Sequence, residues 1–305
     1  MLKEEVLPRV SRPRLNDLNL SIGKKTRLHR IFEQHSPGQG RVMILPIDQG
    51  LEHGPVDFFP NPEAENPEYQ LRLAVEGKFS AIAFHIGLAE KYLNAYAGKI
   101  PVILKINGKT NIPSDDNAFS PLTGSVEDAV RLGADAVGYT LYVGSPAQDR
   151  DIEQFMEVRR AAEKHGMPIV MWAYPRGAAI GKKGGKESLY AIEYAARIAC
   201  ELGADVVKVN FPKLGDEKQK ESPAPYSTMN ISLKEAIERI VNAAGRTLVL
   251  MSGGEKEDDA KLLERVKTAL EAGATGMIFG RNLWQRRYAE GLSVAHKIAD
   301  LMAKV

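Results

Sequence analysis

One short pattern recurs along the chain: a helical stretch, then Gly-Ala-Asp or a close variant, then a short β-branched run. The copies read Gly133-Ala134-Asp135-Ala136-Val137-Gly138-Tyr139, Gly203-Ala204-Asp205-Val206-Val207-Lys208 and Gly273-Ala274-Thr275-Gly276-Met277-Ile278-Phe279. A looser copy is Gly77-Lys78-Phe79-Ser80-Ala81-Ile82-Ala83-Phe84. The glycine can close a helix in the left-handed conformation, and the small residues let the chain turn at once into a strand. Helix followed directly by strand, repeated, is the unit of a parallel sheet.

Counting every such run gives eight strands, at 42–48, 81–85, 102–107, 136–141, 169–174, 206–211, 247–252 and 276–280. Helical patterns at 125–132, 152–165, 188–202, 232–243 and 258–272 separate many of them. Eight alternating units predict an α/β fold, a single closed parallel (β/α)8 barrel of the TIM type. A doubly wound open sheet is the rival, but the steady spacing and the lack of a Gly-x-Gly-x-x-Gly fingerprint argue against it. At 305 residues the chain could hold two domains, yet barrels of about 250 residues commonly form one. The expected division is an N-terminal extension over 1–40 with one helix at 24–34, packed on the barrel or a neighbour, then the barrel over 41–305.

Composition narrows the function classes. The chain is 44% hydrophobic and 26% charged with a net charge of +2, an ordinary globular balance with no basic stretch. No nucleic-acid partner is expected. No apolar segment is long enough to span a bilayer and Met1-Leu2-Lys3-Glu4-Glu5 lacks a signal-peptide core, so no membrane association is expected. A lone cysteine, Cys200, excludes an intrachain disulfide and points to a cytoplasmic protein; it lies on an apolar helical face and reads as a packing residue. Long loops at 53–69, 108–123, 175–186 and 212–230 follow strands, at the barrel end where such enzymes build their sites.

Lys208 stands in the middle of Asp205-Val206-Val207-Lys208-Val209-Asn210-Phe211, otherwise a fully buried strand. Lysine is almost never fully buried without a partner or a purpose. Removing its ammonium from water lowers its pKa and frees the amine as a nucleophile or Schiff-base former. Side chains alternate along a barrel strand. Parity therefore turns Asp48, Lys105, Asn107, Tyr174, Lys208 and Asn210 inward, near the carboxyl ends of strands one, three, five and six. A self-satisfied polar plug is the bland interpretation, but two axial lysines are expensive unless used. Neighbouring ammonium groups depress one another, and a carboxylate with a tyrosine supplies the proton transfers of carbinolamine chemistry.

A second constellation is Ser252-Gly253-Gly254 after strand seven with Gly280-Arg281 after strand eight. Glycine amides ahead of a short helix form the usual barrel phosphate site, and Arg281 adds charge-assisted hydrogen bonds. A phosphorylated substrate is expected. The histidines are scattered without metal-ligand spacing, so no metal and no cofactor are expected. His53 is near the site and either orders its loop or moves protons; His85 reads as a wall residue. Trp172 shapes the substrate pocket or fills the barrel. Lys182-Lys183-Gly184-Gly185-Lys186 is a solvated loop or a grip on a distal phosphate.

On these residues the chain resembles the archaeal-type class I fructose-bisphosphate aldolases, with the short bacterial class I enzymes. The matching pieces are Leu45-Pro46-Ile47-Asp48-Gln49-Gly50-Leu51-Glu52-His53-Gly54, Leu104-Lys105-Ile106-Asn107-Gly108-Lys109-Thr110, Trp172-Ala173-Tyr174-Pro175-Arg176-Gly177, Asp205-Val206-Val207-Lys208, Ser252-Gly253-Gly254 and Gly280-Arg281-Asn282. The resemblance implies a (β/α)8 fold, no metal, and a homo-oligomer of five-membered rings, as a decamer of two pentamers. It implies Lys208 rather than Lys105 as the Schiff-base lysine, with Asp48 and Tyr174 as acid/base partners. Substrate-binding expectations fall on Lys105, Trp172, Ser252, Gly253, Gly254, Gly280, Arg281 and His53. The implied reaction is cleavage of fructose 1,6-bisphosphate to dihydroxyacetone phosphate and glyceraldehyde 3-phosphate. Rivals are a family synthase of an aminated dideoxyheptulosonate, a family thiolase acting on a phosphorylated signal, and a non-catalytic phosphosugar-binding barrel.

Overall fold

The computed structural model describes residues 12–305. The first eleven residues of the expected extension, with the stretch 1–5 read for a leader, lie outside the described residues. Eight strands close a barrel in chain order: β1 (Val42–Pro46), β2 (Ala81–His85), β3 (Val102–Lys105), β4 (Ala136–Val143), β5 (Ile169–Pro175), β6 (Val206–Val209), β7 (Leu248–Ser252) and β8 (Gly276–Ile278). All pairings are parallel, and β8 returns to β1 with Ile44 opposite Ile278.

Four strands, β1, β3, β6 and β8, stop two residues short of the expected ends. The residues lost from them include Asp48, Asn107, Asn210 and Gly280, whose backbones have left the ladder. Asp48 precedes a one-turn helix, α2 (Gln49–Glu52). Asn107 bonds across to the next strand: its Oδ1 accepts from the Thr140 amide at 2.7 Å and its Nδ2 donates to the Thr140 carbonyl at 2.8 Å.

The inward faces carry Val42, Ile44, Ala81, Ala83, Ile103, Ala136, Val170, Val206, Leu248, Leu250 and Ile278 in one buried cluster. The outward faces pack on the surrounding helices in a second, larger one. Helix α1 (Ile22–His29) of the N-terminal segment begins two residues ahead of the expected helix because Ser21 caps it, accepting from the Lys24 amide. A wider turn carries the helix on over Arg30–Gln34. From this segment Leu28, Ile31 and Phe32, with Leu15, join the barrel's inner cluster. The N-terminal segment thus stoppers the barrel's base.

The repeat has a structural meaning at that base. Gly133, Gly203 and Gly273 all adopt positive φ, at 68°, 89° and 96°. Asp135 accepts the Val102 amide at 3.1 Å and Asp205 accepts the Ile169 amide at 2.8 Å, each tying its strand to the start of the preceding one. The same carboxylates hold the N-terminal segment: Arg30 lies 2.8 Å from Asp135, and Lys24, itself buried, lies 3.1 Å from Asp205 and 2.6 Å from Glu163. In the third copy Thr275 stands where the others have aspartate. Its hydroxyl is buried with no hydrogen-bond partner among the described residues.

Candidate active site

Lys208 and Lys105 both point into the mouth of the barrel, at 5% and 0% exposure, yet their environments differ. Lys105 is held on several sides. Its Nζ donates to Glu52 Oε1 at 2.9 Å and to Thr140 Oγ1 at 2.7 Å, and lies 3.4 Å from Asp48 Oδ2. Lys208 has no hydrogen bond or ion pair among the described residues. Its Nζ sits over two ring faces, 5.2 Å from the Trp172 centroid and 5.3 Å from that of Tyr174. Burial pushes the Lys208 ammonium below the ordinary lysine range; Asp48 and Glu52 pull the other way, and Arg281 adds to the fall. Lys105, expected to act on Lys208, is itself paired with Glu52 and Asp48.

A missing side chain makes room for this arrangement. A Cβ on Gly138 of β4 would come 2.8 Å from Lys105 Cδ and 2.9 Å from Trp172 Cζ3. Only glycine lets the lysine and the indole meet here, with Lys105 Nζ 4.4 Å from the ring centroid. Trp172 is fully buried, and its indole N–H has no partner among the described residues.

Asp48 and Glu52 are four residues apart across the turn of α2, so both carboxylates reach the same space. Burial acts against the Asp48 carboxylate, but Lys105, Lys208 and His85 together hold it below its usual range. Its Oδ2 lies 3.4 Å from Lys105 Nζ and accepts no hydrogen bond among the described residues, so it stands charged in the mouth with room to accept one. Burial, then the charges of Glu52 and Asp48, push the Tyr174 hydroxyl above its ordinary range, so it keeps its proton at neutral pH. The mouth thus holds an unpaired amine, a carboxylate acceptor and a phenol donor.

Glu52 and Thr140 are neighbours of Lys105 that were not singled out in the sequence. The signal for Glu52 was its spacing from Asp48; Thr140 shares the inward parity of Ala136 and Gly138 on β4. Asn107 is instead a staple between β3 and β4, with its oxygen and its amide nitrogen both bonded to protein. Asn210 is half-buried beyond the end of β6. His85 stays in the wall, with burial first and Lys105 second holding it below the ordinary histidine range.

The phosphate candidates also converge. Gly253 donates its amide to the Ile278 carbonyl at 3.0 Å, so that amide is already used. Asn282, fully buried, donates to the carbonyls of Gly253 and Glu255, both at 2.8 Å, and accepts from the Glu257 amide at 2.9 Å. It latches the loop after β7 to the loop after β8, bringing Ser252, Gly253 and Gly254 beside Gly280 and Arg281. His53 pairs with Asp57 at 2.6 Å, and Arg281 Nε lies 4.0 Å from the same carboxylate. His53 is placed on the Arg281 side of the mouth, ordering its loop through Asp57. Across the mouth, Asp115 gathers Lys109 at 3.0 Å and Arg176 at 2.8 Å, while Lys182 and Lys183 are exposed. Among the described residues no group of three His, Cys, Asp or Glu side chains is placed to hold a metal, and no helix is long and apolar enough to cross a membrane.

Comparison with known proteins agrees with this chemistry. The sequence model of the DeoC/LacD family aldolases matches residues 42–286. The chain is 42% identical over 274 residues to the fructose-bisphosphate aldolase class 1 of Thermoproteus tenax, covering 90% of this chain and 92% of that one. It is 40% identical over 249 residues to the corresponding protein of Halobacterium salinarum, covering 82% and 86%. Among solved structures it is similar to an archaeal fructose-1,6-bisphosphate aldolase whose catalytic lysine is covalently bound to the carbinolamine intermediate of its substrate. That match has 39% identity and a TM-score of 0.76, covering 91% of this chain and 98% of the other.

Proposed function

The chain belongs to the DeoC/LacD aldolase family, and on that premise we propose that it is a Schiff-base, class I fructose-bisphosphate aldolase with Lys208 as nucleophile. The observation that carries the assignment to Lys208 is the contrast between the two buried lysines. Lys105 is paired with Glu52 and Asp48, whereas Lys208 is desolvated and without a hydrogen bond or ion pair among the described residues, so its neutral form is the accessible one.

The neutral amine of Lys208 attacks C2 of the open-chain ketose, and Tyr174 protonates the carbinolamine hydroxyl, which leaves as water and gives a protonated imine. Asp48 takes the proton of the C4 hydroxyl as the C3–C4 bond breaks. The electron pair moves into the imine, leaving an enamine on Lys208 and releasing glyceraldehyde 3-phosphate. The proton on Asp48 passes to Tyr174, which gives it to C3 of the enamine; water then adds to the renewed imine, returns a proton to Tyr174 and frees dihydroxyacetone phosphate and the Lys208 amine. Lys105 contacts substrate oxygens, and Trp172 supports both lysines. The dihydroxyacetone end's phosphate rests on the Ser252–Gly254 and Gly280–Arg281 loops. The distal phosphate lies toward Lys109, Arg176 and the 182–186 loop. Asn282 is a positioning residue that holds the two phosphate loops in register.

The proposed assembly is a homo-oligomer, two five-membered rings making a decamer. The resemblance supports it, as does Phe59, a large apolar side chain left 74% exposed. Native mass spectrometry tests it; a monomer at micromolar concentration would overturn it.

The catalytic assignment is tested by coupled assays of fructose 1,6-bisphosphate cleavage on Lys208→Met and Lys105→Met proteins. Lys208→Met should have no turnover above background, and Lys105→Met a weakened but measurable rate. Turnover retained by Lys208→Met would overturn the proposal.

A further inference from the structure

The end of the barrel opposite the mouth carries an imbalance of charge. Two copies of the repeat place an aspartate at the strand start, and each receives a cation from the N-terminal segment. The third copy has Thr275 there, and among the described residues no carboxylate takes its place. Arginines gather around this copy nonetheless. A cavity of about 240 Å³ is lined by Arg12, Arg14, Asn16, Glu33, Leu248 and Thr275. That is far above the ~10–15 Å³ that one water requires.

Arg41 lies close behind. Its guanidinium donates to the carbonyls of Ala274 and Leu270, and Arg12 and Arg14 act on it: burial first, then these two neighbours, hold it down at about 10. Arg41 Nη2 also reaches the Val305 oxygen at 3.4 Å, while among the described residues Arg12 and Arg14 have no ion pair. Among the described residues, Arg12 Nη1, Arg41 Nε and the Thr275 hydroxyl are all buried with no hydrogen-bond partner. Glu33 is the acid in the lining; it is exposed, and its charge acts on Arg12 without pairing. Unpaired buried donors cost free energy, and crowded like charges add to it. One bound anion would satisfy both.

We propose that this cavity is a second ligand site, distinct from the barrel mouth, that binds a small oxyanion bearing two or more negative charges. The anion supplies between Arg12, Arg14 and Thr275 the carboxylate that the third repeat lacks. It would also tie the N-terminal segment to the starts of β7 and β8, the strands whose far ends carry Ser252–Gly254 and Gly280–Arg281. Phosphates and polycarboxylates share the required chemistry.

Calorimetric titration of the Arg281→Ala protein tests the proposal, because that background weakens anion binding at the mouth. Pyrophosphate and tricarballylate serve as probes, and whichever binds tighter identifies the ligand class. One saturable site per chain is expected, weakened at least tenfold by adding Arg12→Gln and Arg14→Gln. Arg14 is exposed, so Arg14→Gln alone cannot disturb the core and should still weaken binding severalfold. Neither probe binding Arg281→Ala protein saturably, or binding unchanged by Arg14→Gln and by the pair, would overturn the proposal.

Discussion

Gly138→Ala adds one methyl group at the point where the site is tightest. The new Cβ would lie 2.8 Å from Lys105 Cδ and 2.9 Å from Trp172 Cζ3, with a third contact to Cη2 at 3.2 Å. Carbon atoms prefer separations of about 3.5–4.0 Å, so something must move by about 0.7 Å. Lys105 cannot yield freely, because Glu52, Thr140 and Asp48 hold its ammonium. Trp172 is fully buried beneath both lysines, and its shift displaces Lys208. Overpacking of this kind costs about 1–3 kcal/mol, partly offset by the ~0.4–1 kcal/mol that alanine gains over glycine through the unfolded chain. The melting temperature should fall by about 2–5 °C. Activity should suffer more, since a displacement approaching 1 Å can cost ~10²-fold, and we expect kcat/KM to drop about 10–100-fold. Steady-state cleavage assays beside thermal melts measure both. A folded Gly138→Ala protein with kcat/KM within about twofold of the parent would refute the claim that this gap sets the geometry of the two lysines.

Removing the phenol in Tyr174→Phe should lower kcat by about 10²–10⁴-fold while leaving the fold unchanged, as measured by turnover and circular dichroism; a milder loss would assign proton transfer elsewhere. Arg281→Ala should raise KM for the bisphosphate by about 10–100-fold, the value of one charge-assisted contact, and an unchanged KM would remove Arg281 from the phosphate site. Lys24→Met strips Asp205 of its buried partner and should cost about 3–5 kcal/mol at neutral pH. Burial, opposed by Lys24, already holds Asp205 above the ordinary carboxylate range. A carboxyl raised in the folded state loses stability as pH climbs through its folded value, and without Lys24 that value rises further. The Lys24→Met deficit in thermal melts should therefore shrink as pH falls toward about 4, and a deficit independent of pH would contradict the pairing.

The barrel is legible in the repeat because a helix-closing glycine and a β-branched run are local signals, and parity along short strands assigns faces without knowledge of neighbours. Lys208, Lys105 and Tyr174 were readable for that reason. Parity fails where a strand ends. Asp48 belongs to the turn of α2, so its companion Glu52 follows helical spacing, and counting by twos passes over it. Asn107 has the right face and the wrong role, since its bonds to Thr140 depend on which strand lies beside β3. The pairing of Lys105 was hidden for a related reason: adjacency of two lysines is visible in the pattern, while the carboxylates that pair with one of them arrive from a loop. The clasp of Lys24 and Arg30 on Asp205 and Asp135 spans 181 and 105 residues of chain, and nothing local announces it.

The most direct test of the account is covalent. The protein is incubated with dihydroxyacetone phosphate, reduced with borohydride, digested and mapped by mass spectrometry. A single adduct on the peptide containing Lys208 is the predicted result; an adduct on Lys105, or none, would contradict it.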